Sequence, residues 1–161
     1  MNRAVFAGTF NPFTLGHYDI VDRASKLFDE VIIGVADDSS GKDNLLSAVD
    51  RVDIAKISVS ELKNVRVKSF CGFLVDFVKK EGAGVIVRGL RSATDAEYEK
   101  GLCAVYKSQN SEIECVYLFS EPKYGHISGT IVRQLIRFDG SLDGYVCPTA
   151  SEKIRNCYRK L

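Results

Sequence analysis

Short apolar runs alternate with segments of helical period along the whole chain, and this alternation most limits the folds open to it. The runs are strand-sized, and the segments between them have the periodicity of helices that would cover both faces of a sheet. We therefore predict an α/β fold, a Rossmann-like, doubly wound parallel sheet of five strands. The predicted strands cover residues 4–7, 31–36, 65–67, 85–87 and 113–119.

The segments between the strands predict amphipathic helices. In the first helix, Ile20, Val21, Ala24, Leu27 and Phe28 recur three and four positions apart, and the opposite, polar face carries Asp19, Asp22, Arg23 and Lys26. Further helices are expected near residues 48–62, 73–80, 94–108, 130–138 and 149–160. Their start signals are Ser47 with Asp50, Thr94 with Glu97, and Pro148.

Length and charge exclude several classes of protein. A chain of 161 residues has the size of one compact domain, so we predict a single domain over residues 1–161. The formal net charge of +1 argues against a nucleic-acid partner, which would require many clustered Lys and Arg. No apolar run is long enough to cross a membrane, and the start shows no secretory signal, so we expect a cytoplasmic protein. The five scattered cysteines indicate neither a metal site nor disulfides.

The strongest chemical signal is a glycine-bounded turn, residues 8–17, between the first strand and the first helix. Gly8 and Gly16 permit close backbone approaches, Pro12 stiffens the turn, and the helix that follows presents free N–H groups to an anion. His17 would point an imidazole N–H at a bound phosphate, and the helix dipole disfavours its protonation. A lone histidine is more often a satisfied polar group, so on the residues of this turn alone both interpretations stay open.

Two further segments carry groups that suit a phosphate. Arg88 and Arg91 directly follow the strand at residues 85–87, where their guanidinium groups could bind phosphate oxygens in pairs. Ser128 is predicted to cap the helix at residues 130–138 and to form a second anion site there. Taken singly, these residues could be solvated charges and a simple cap. Three such ends in one small domain favour a shared phosphate ligand.

These motifs resemble those of a known enzyme family. Thr-x-Gly-His at residues 14–17 resembles the T/HxGH signature of adenylyl and cytidylyl transferases. Arg-Gly-Leu-Arg at residues 88–91, with Asp95 and then Glu97-Tyr98-Glu99, is similar to the RGLR…DxEYE block of bacterial phosphopantetheine adenylyltransferases. The likeness covers essentially the whole chain. It implies transfer of AMP from ATP to 4′-phosphopantetheine, giving 3′-dephospho-coenzyme A and pyrophosphate in coenzyme A biosynthesis.

The resemblance also implies roles for individual residues. Catalysis would depend on His17, Lys42 and Arg91. Around ATP it places Thr9, Phe10, His17, Gly89, Leu90, Arg91, Glu99, Tyr124, Gly125, His126, Ile127, Ser128, Gly129 and Thr130. Around the acceptor it places Thr9, Lys42, Leu74 and Arg88. No carboxylate cluster in the sequence indicates a metal site built by the protein, so Mg²⁺ should arrive with ATP. A homo-hexamer with feedback binding of coenzyme A is expected from the likeness alone.

The chain departs from the family pattern at three positions. Asn11 stands where Asp is usual, Gly129 replaces a usual Ser, and Lys42 is a single lysine where the family commonly has two adjacent ones. Two alternatives stay open. A related transferase could act on nicotinamide mononucleotide or a phosphorylated polyol, although those relatives usually carry a second His where Thr14 stands. The other alternative is a regulator that binds a nucleotide but catalyses no reaction, since fold alone does not prove activity.

Overall fold

Five parallel strands form one sheet in the computed structural model, which describes residues 1–37 and 46–159. The strands are β1 (Arg3–Gly8), β2 (Glu30–Ala36), β3 (Val65–Phe70), β4 (Val85–Leu90) and β5 (Glu114–Phe119). Their order is β3-β2-β1-β4-β5, and every pairing is parallel. The chain runs outward from β1 to β3 and then returns to build β4 and β5 on the other side of β1. The predicted five-stranded parallel sheet is confirmed.

Helices cover both faces of this sheet, as predicted. They are α1 (Leu15–Ser25), α2 (Ala48–Ser58), α3 (Leu74–Lys80), α4 (Ala93–Gln109), α5 (Gly129–Arg137) and α6 (Pro148–Tyr158), with a 3-10 turn at Pro122–Tyr124. Successive residues of β1 point to opposite faces: Phe6 belongs to the core shared with α1, α2, α5 and α6, and Val5 to the core shared with α3 and α4. Within the described ranges, no helix has the length and apolarity needed to cross a membrane.

The carboxyl end of β4 lies further along the chain than predicted, and this difference affects the site. The strand was expected to stop at residue 87, but it continues to Leu90 because Arg88, Gly89 and Leu90 pair with Tyr117, Leu118 and Phe119 of β5. The predicted loop position of Arg88 is therefore wrong, since this residue lies inside the strand. The apolar pattern ended at residue 87, and pairing with a distant strand is not visible in it.

Three predictions about α1 and α4 are wrong in detail. The cap of α4 is Ser92, whose Oγ accepts from the Asp95 N–H at 3.1 Å, rather than Thr94 with Glu97. Leu27 was placed on the buried face of the first helix, but α1 ends at Ser25 and Leu27 is exposed. Asp19 was placed on the polar face, yet only 8% of it is accessible, because the end of β5 covers it. The predicted cap Ser47 is confirmed by its bond from the Asp50 N–H.

The sheet opens between β1 and β4 at their carboxyl ends. These two strands pair only from Ala4 with Val85 to Phe6 with Val87, whereas β1 stays paired with β2 as far as Gly8. Beyond Phe6, β1 continues beside β2 and β4 continues beside β5, on opposite sides of the opening. The gap between β1 and β4 is the crevice in which open α/β sheets bind ligands. The glycine turn follows β1 at this position, and the arginine motif forms the end of β4.

Candidate active site

A cavity of about 670 Å³ fills the crevice between the carboxyl ends of β1 and β4. The amino ends of α1 and α5 both border it. Most residues predicted around ATP line its wall: Thr9, Phe10, His17, Gly89, Arg91, Glu99, Tyr124, Ile127, Ser128, Gly129 and Thr130. Three others do not: Leu90, Gly125 and His126 lie outside the lining, and the exposed His126 ring packs edge-on against Tyr145.

Thr14 caps α1 and at the same time fixes the orientation of His17. The Thr14 Oγ1 accepts from the His17 backbone N–H at 3.4 Å, and the Thr14 backbone N–H donates to His17 Nδ1 at 3.0 Å. A backbone N–H can only donate, so Nδ1 is an acceptor and the proton of the neutral ring is on Nε2. His17 therefore presents an N–H donor on the side of the ring away from its own helix cap.

Aromatic side chains surround the His17 ring and keep it neutral. Its centroid lies 5.0 Å from that of Phe10, 5.3 Å from Phe13 and 6.3 Å from Phe6. This burial, and secondarily the positive charge of Arg91, lowers the pKa of His17 from 6.5 to about 4. At neutral pH the site therefore contains an uncharged hydrogen-bond donor in place of an imidazolium.

Different structural features explain the presence of glycine at positions 8 and 16 of the turn. Phe10 has a φ of 49°, in the left-handed region that a bulky residue rarely adopts. Its ring lies over Gly8, where a Cβ would be 3.2 Å from two ring carbons. At Gly16, by contrast, a Cβ would come no closer than 3.7 Å to any protein atom. Packing thus explains Gly8, while Gly16 lines the cavity and leaves room there for an occupant.

Arg88 bridges the opening in the sheet and is held by Glu99. Its guanidinium makes two bonds to the Glu99 carboxylate, Nε to Oε2 at 2.7 Å and Nη2 to Oε1 at 2.5 Å. Its Nη1 donates to the Ala7 carbonyl at 2.9 Å, beyond the point where β1 and β4 stop pairing. This paired geometry is rigid and specific. Glu99, predicted near ATP, thus orients the guanidinium predicted near the acceptor.

A second cavity of about 220 Å³ adjoins the first. It is lined by Leu74, Phe70 and Tyr106, and it shares Thr9 and Arg88 with the larger cavity. The three predicted acceptor residues that the structure describes, Thr9, Leu74 and Arg88, therefore all border this second cavity. Lys42, the remaining acceptor and catalytic prediction, lies outside the described residues.

Arg91, the last residue of the Arg-Gly-Leu-Arg motif, is more exposed than Arg88. The Arg91 side chain is about half exposed, and it lies 3.5 Å from Asp95 through Nε. The Arg91 backbone N–H donates to the same carboxylate at 3.0 Å, which ties the end of β4 to the first turn of α4. The guanidinium borders the larger cavity near His17, whose pKa it lowers.

The amino end of α5 forms the opposite wall and contains a residue that sequence reasoning missed. The predicted cap is confirmed, since Ser128 Oγ accepts from the Ile131 N–H at 3.2 Å. Arg133, on the next turn, borders the cavity and donates through Nη1 to the Asn11 carbonyl at 2.6 Å. A Cβ on Gly129 would lie 3.0 Å from that carbonyl and 3.1 Å from Nη1. Glycine at this position therefore leaves room for the bond between Arg133 and the turn.

Two other residues missed in the sequence support the turn from behind. Arg51 of α2 is 1% exposed, and its Nη1 donates to the carbonyls of Thr9 and Ala36, each at 2.7 Å. Tyr158 of α6 donates its hydroxyl to Asn11 Oδ1 at 3.3 Å, and burial raises the pKa of this phenol to about 12, so it stays a donor. Neither residue lies in a motif, so no local signal could have identified it.

Comparison with known proteins gives the class to which this fold and site belong. The profile of the cytidylyltransferase-like family matches residues 5–135, which contain both helix ends of the cavity. A solved structure described as a nicotinate-nucleotide adenylyltransferase from Vibrio parahaemolyticus covers 100% of this chain and 98% of its own, with a TM-score of 0.76 and 19% identity. At that identity the likeness concerns the fold alone. The class is that of the cytidylyltransferase-like nucleotidyltransferases.

Curated relatives narrow this class to one family. Phosphopantetheine adenylyltransferase from Tolumonas auensis is 40% identical over 95% of this chain and 93% of its own length. The proteins of the same name from Helicobacter hepaticus and Ralstonia pickettii are 40% and 41% identical, over 98% and 94% of this chain and 94% and 90% of theirs. The chain belongs to the phosphopantetheine adenylyltransferases, as the motifs predicted.

Proposed function

We propose that this chain transfers AMP from ATP to 4′-phosphopantetheine, giving 3′-dephospho-coenzyme A and pyrophosphate. The observation that carries the proposal is the pair of adjoining cavities that share Thr9 and Arg88. The larger one is bordered by two helix amino ends, which suit a triphosphate. The smaller one, with Leu74, Phe70 and Tyr106, suits an uncharged arm whose phosphate reaches Arg88. The relatives that match 95% and 98% of this chain have the corresponding name.

The reaction needs no covalent intermediate. An oxygen of the acceptor phosphate attacks the α-phosphorus of ATP in line, the bond from that phosphorus to the bridging oxygen breaks, and pyrophosphate leaves. The protein contributes position and charge neutralisation, as in other phosphoryl transfers. His17 Nε2–H donates to an α-phosphate oxygen and stabilises the charge that develops in the transition state. Its neutral state leaves the ring available as a donor throughout the physiological pH range.

In this proposal, different arginines bind the acceptor phosphate and the β and γ phosphates of ATP. Arg88, held by Glu99, faces the acceptor phosphate together with Thr9, and Lys42 is the further residue proposed to align that phosphate. Arg91 borders the same cavity near His17 and is proposed to bind the β and γ phosphates. Arg133 of α5 adds a third guanidinium to the lining of the larger cavity, on the opposite wall. Because guanidinium groups bind phosphate oxygens in pairs, this set holds both substrates without a protein-bound metal.

Mg²⁺ enters this proposal as part of the nucleotide substrate. Across residues 1–37 and 46–159, no group of three or more His, Cys, Asp or Glu side chains is placed to hold a metal ion. The donor groups that line the larger cavity are mostly guanidinium, imidazole, hydroxyl and backbone N–H, which suit anions rather than cations. MgATP is therefore the substrate form that this wall of the cavity fits.

An acceptor panel tests the proposed function. Pyrophosphate release from MgATP is measured with 4′-phosphopantetheine, with nicotinamide mononucleotide and with a phosphorylated polyol at equal concentrations. We expect release with 4′-phosphopantetheine and at most background release with the other two. Faster release with nicotinamide mononucleotide would assign the chain to a different acceptor. ATP binding without release for any acceptor would instead support a nucleotide-binding regulator.

Assembly, location and feedback belong to the same proposal. We propose a cytoplasmic homo-hexamer. Contact between copies is supported by the long helix α4, which buries only Glu99 and Tyr106 and leaves Tyr98 and Val105 exposed. Apolar side chains on an exposed helix face favour symmetric contacts between copies. Coenzyme A contains both the pantetheine arm and the adenylyl group that the reaction joins, so it suits both cavities as a feedback ligand.

A further inference from the structure

A buried charge on α1 has no part in the reaction described above. Asp19 is 8% exposed, although the helical pattern placed it on the polar face. Its Oδ2 accepts from the Glu121 backbone N–H at 3.1 Å and lies 3.3 Å from Arg23 Nη1. The same Nη1 donates to the Phe119 carbonyl at 2.6 Å. Both side chains therefore bind backbone groups at the end of β5 or just after it.

These contacts join the two walls of the larger cavity. Asp19 and Arg23 lie two and six residues after His17 on α1, whose amino end forms one wall. Phe119 and Glu121 lead directly into the 3-10 turn and the segment that ends at Ser128, the cap of α5, which forms the other wall. Asp19 and Arg23 thus connect the helix of the catalytic histidine to the chain that carries the second helix end.

An ordinary helical ion pair does not account for this arrangement. Asp22 and Lys26 on the same helix have the same spacing, and their charged atoms lie closer together, at 2.6 Å. That pair is more exposed, and among residues 1–37 and 46–159 it shows no side-chain bond to another element. Asp19 is buried and its distance to Arg23 is longer, because its carboxylate is directed at the backbone after β5. Its position follows from that contact rather than from the pair.

We propose that Asp19 and Arg23 are positioning residues that set the spacing between the amino ends of α1 and α5 for nucleotide binding. The inference rests on the proposed function in assigning ATP to the larger cavity. The smaller cavity is lined by residues of β1, β2, β3, β4, α3 and α4 and the turns that follow three of these strands, and it includes none from α1 or from the chain after β5. Loss of the contact should therefore affect ATP and leave the acceptor largely unaffected.

The first experiment compares Asp19→Ala with the matched control Asp22→Ala. The Michaelis constants for ATP and for 4′-phosphopantetheine, kcat and the melting temperature are measured for both. Losing one buried, charge-assisted hydrogen bond predicts that Asp19→Ala raises KM for ATP about tenfold, with KM for the acceptor within about twofold of wild type. Asp22→Ala should match wild type. The inference is overturned if the two variants agree, or if Asp19→Ala raises both Michaelis constants equally.

A second pair of variants separates the effect of the Glu121 backbone N–H from that of the Glu121 side chain. Glu121 has a φ of −55°, which proline can adopt, so Glu121→Pro removes the N–H that Asp19 binds without requiring a new backbone angle. Glu121→Ala keeps that N–H and removes the exposed side chain. We expect Glu121→Pro to raise KM for ATP as Asp19→Ala does, and Glu121→Ala to leave it unchanged. Equal Michaelis constants in the two Glu121 variants would show that the contact does not set nucleotide binding.

The affinity for MgATP alone separates this inference from the proposed function. Calorimetric titration of wild type, Asp19→Ala and Asp22→Ala needs no acceptor and no turnover. If wild type fails to use 4′-phosphopantetheine, the proposed function fails, and weaker MgATP binding by Asp19→Ala alone still supports the positioning role. If wild type uses that acceptor and all three proteins bind MgATP equally, the positioning role fails and the proposed function stands.

Discussion

His17 is neutral because of its surroundings, and its tautomer is fixed by a single backbone hydrogen bond. Three phenyl rings remove water from the imidazole, and the Thr14 N–H occupies Nδ1. The neutral state was partly predictable, since the helix dipole alone argued against protonation. The sequence could not show that Phe6, two positions before the turn, would pack on the same ring.

Replacement of His17 by alanine tests its catalytic role. Removal of one preorganised donor to a transition state costs about a hundred- to a thousand-fold in rate. We expect His17→Ala to lose kcat by this factor while its melting temperature stays within a few degrees of wild type, as judged by pyrophosphate release and thermal unfolding. Asp22→Ala, at a partly exposed position on the same helix, is the control. Near wild-type turnover in His17→Ala would refute the assigned role.

The lowered pKa of His17 also makes a prediction about stability. Below pH 6.5 the unfolded chain takes up a proton on this histidine, whereas the folded protein does so only near pH 4. The free energy of unfolding should therefore fall as the pH drops through this window, by about 3 kcal/mol from this group.

His17→Gln removes the titrating group and should lack this contribution. Urea denaturation of both proteins at pH 7.5, 5.5 and 4.5 measures the difference. We expect the stability of wild type to decline more steeply than that of the variant toward pH 4.5. Parallel declines would mean that His17 titrates near its ordinary value in the folded protein.

Among the elements, the two capped helix ends at the cavity were predictable and the strand ends were not. Ser128 and the turn at residues 8–17 have local signals for a helix start, and the structure confirms both ends. The end of β4 depends on pairing with β5, and the burial of Asp19 depends on the chain after β5. Both facts follow from tertiary contacts, which a periodicity in one segment does not contain.

The cap of α1 is expected to serve both stability and catalysis. Thr14→Val removes the oxygen that accepts from the His17 N–H, and Ser47→Ala removes the corresponding cap of α2. Each change should lower the free energy of unfolding by about 1 kcal/mol. Only Thr14→Val should also lower kcat, by about tenfold, because its helix end holds His17.

Denaturant unfolding and pyrophosphate release measure the two effects separately. Ser47→Ala is the control for a stability loss of the same origin at a helix end outside the cavity lining. If both variants keep wild-type kcat, the cap does not contribute to the orientation of His17. If both lose kcat equally, reduced stability rather than the cap of α1 explains the loss.

For the whole molecule, the alternation of strands and helices predicted the sheet, its direction and the edge that holds the site. Parallel strands place their carboxyl ends together, so the turn after β1 and the arginines of β4 had to meet at one edge. The roles of Arg51 and Tyr158 could not be predicted in this way. Each residue joins its own helix to the glycine turn, which is distant in sequence. The residues that neighbour it in the chain give no signal of that contact.

The proposed hexamer makes a prediction at this scale. Val105 is exposed on α4, and a glutamate there would introduce a charge into the proposed contact between copies. We expect wild type to have the mass of an oligomer in light scattering and Val105→Glu to shift toward smaller species. Val49, exposed on α2, provides the matched control Val49→Glu. Unchanged mass in Val105→Glu would exclude α4 as the contact surface.

The opening between β1 and β4 has a consequence for how the protein becomes active. It separates two stretches of chain, residues 3–70 and 85–119, each of which holds a set of neighbouring strands. The histidine comes from the first stretch, and the arginines of β4 and the whole of α5 follow in the second half. During synthesis, the earlier half leaves the ribosome with His17 but without Arg88, Arg91 and the amino end of α5. The wall of the larger cavity can therefore be complete only after the chain has been made as far as α5.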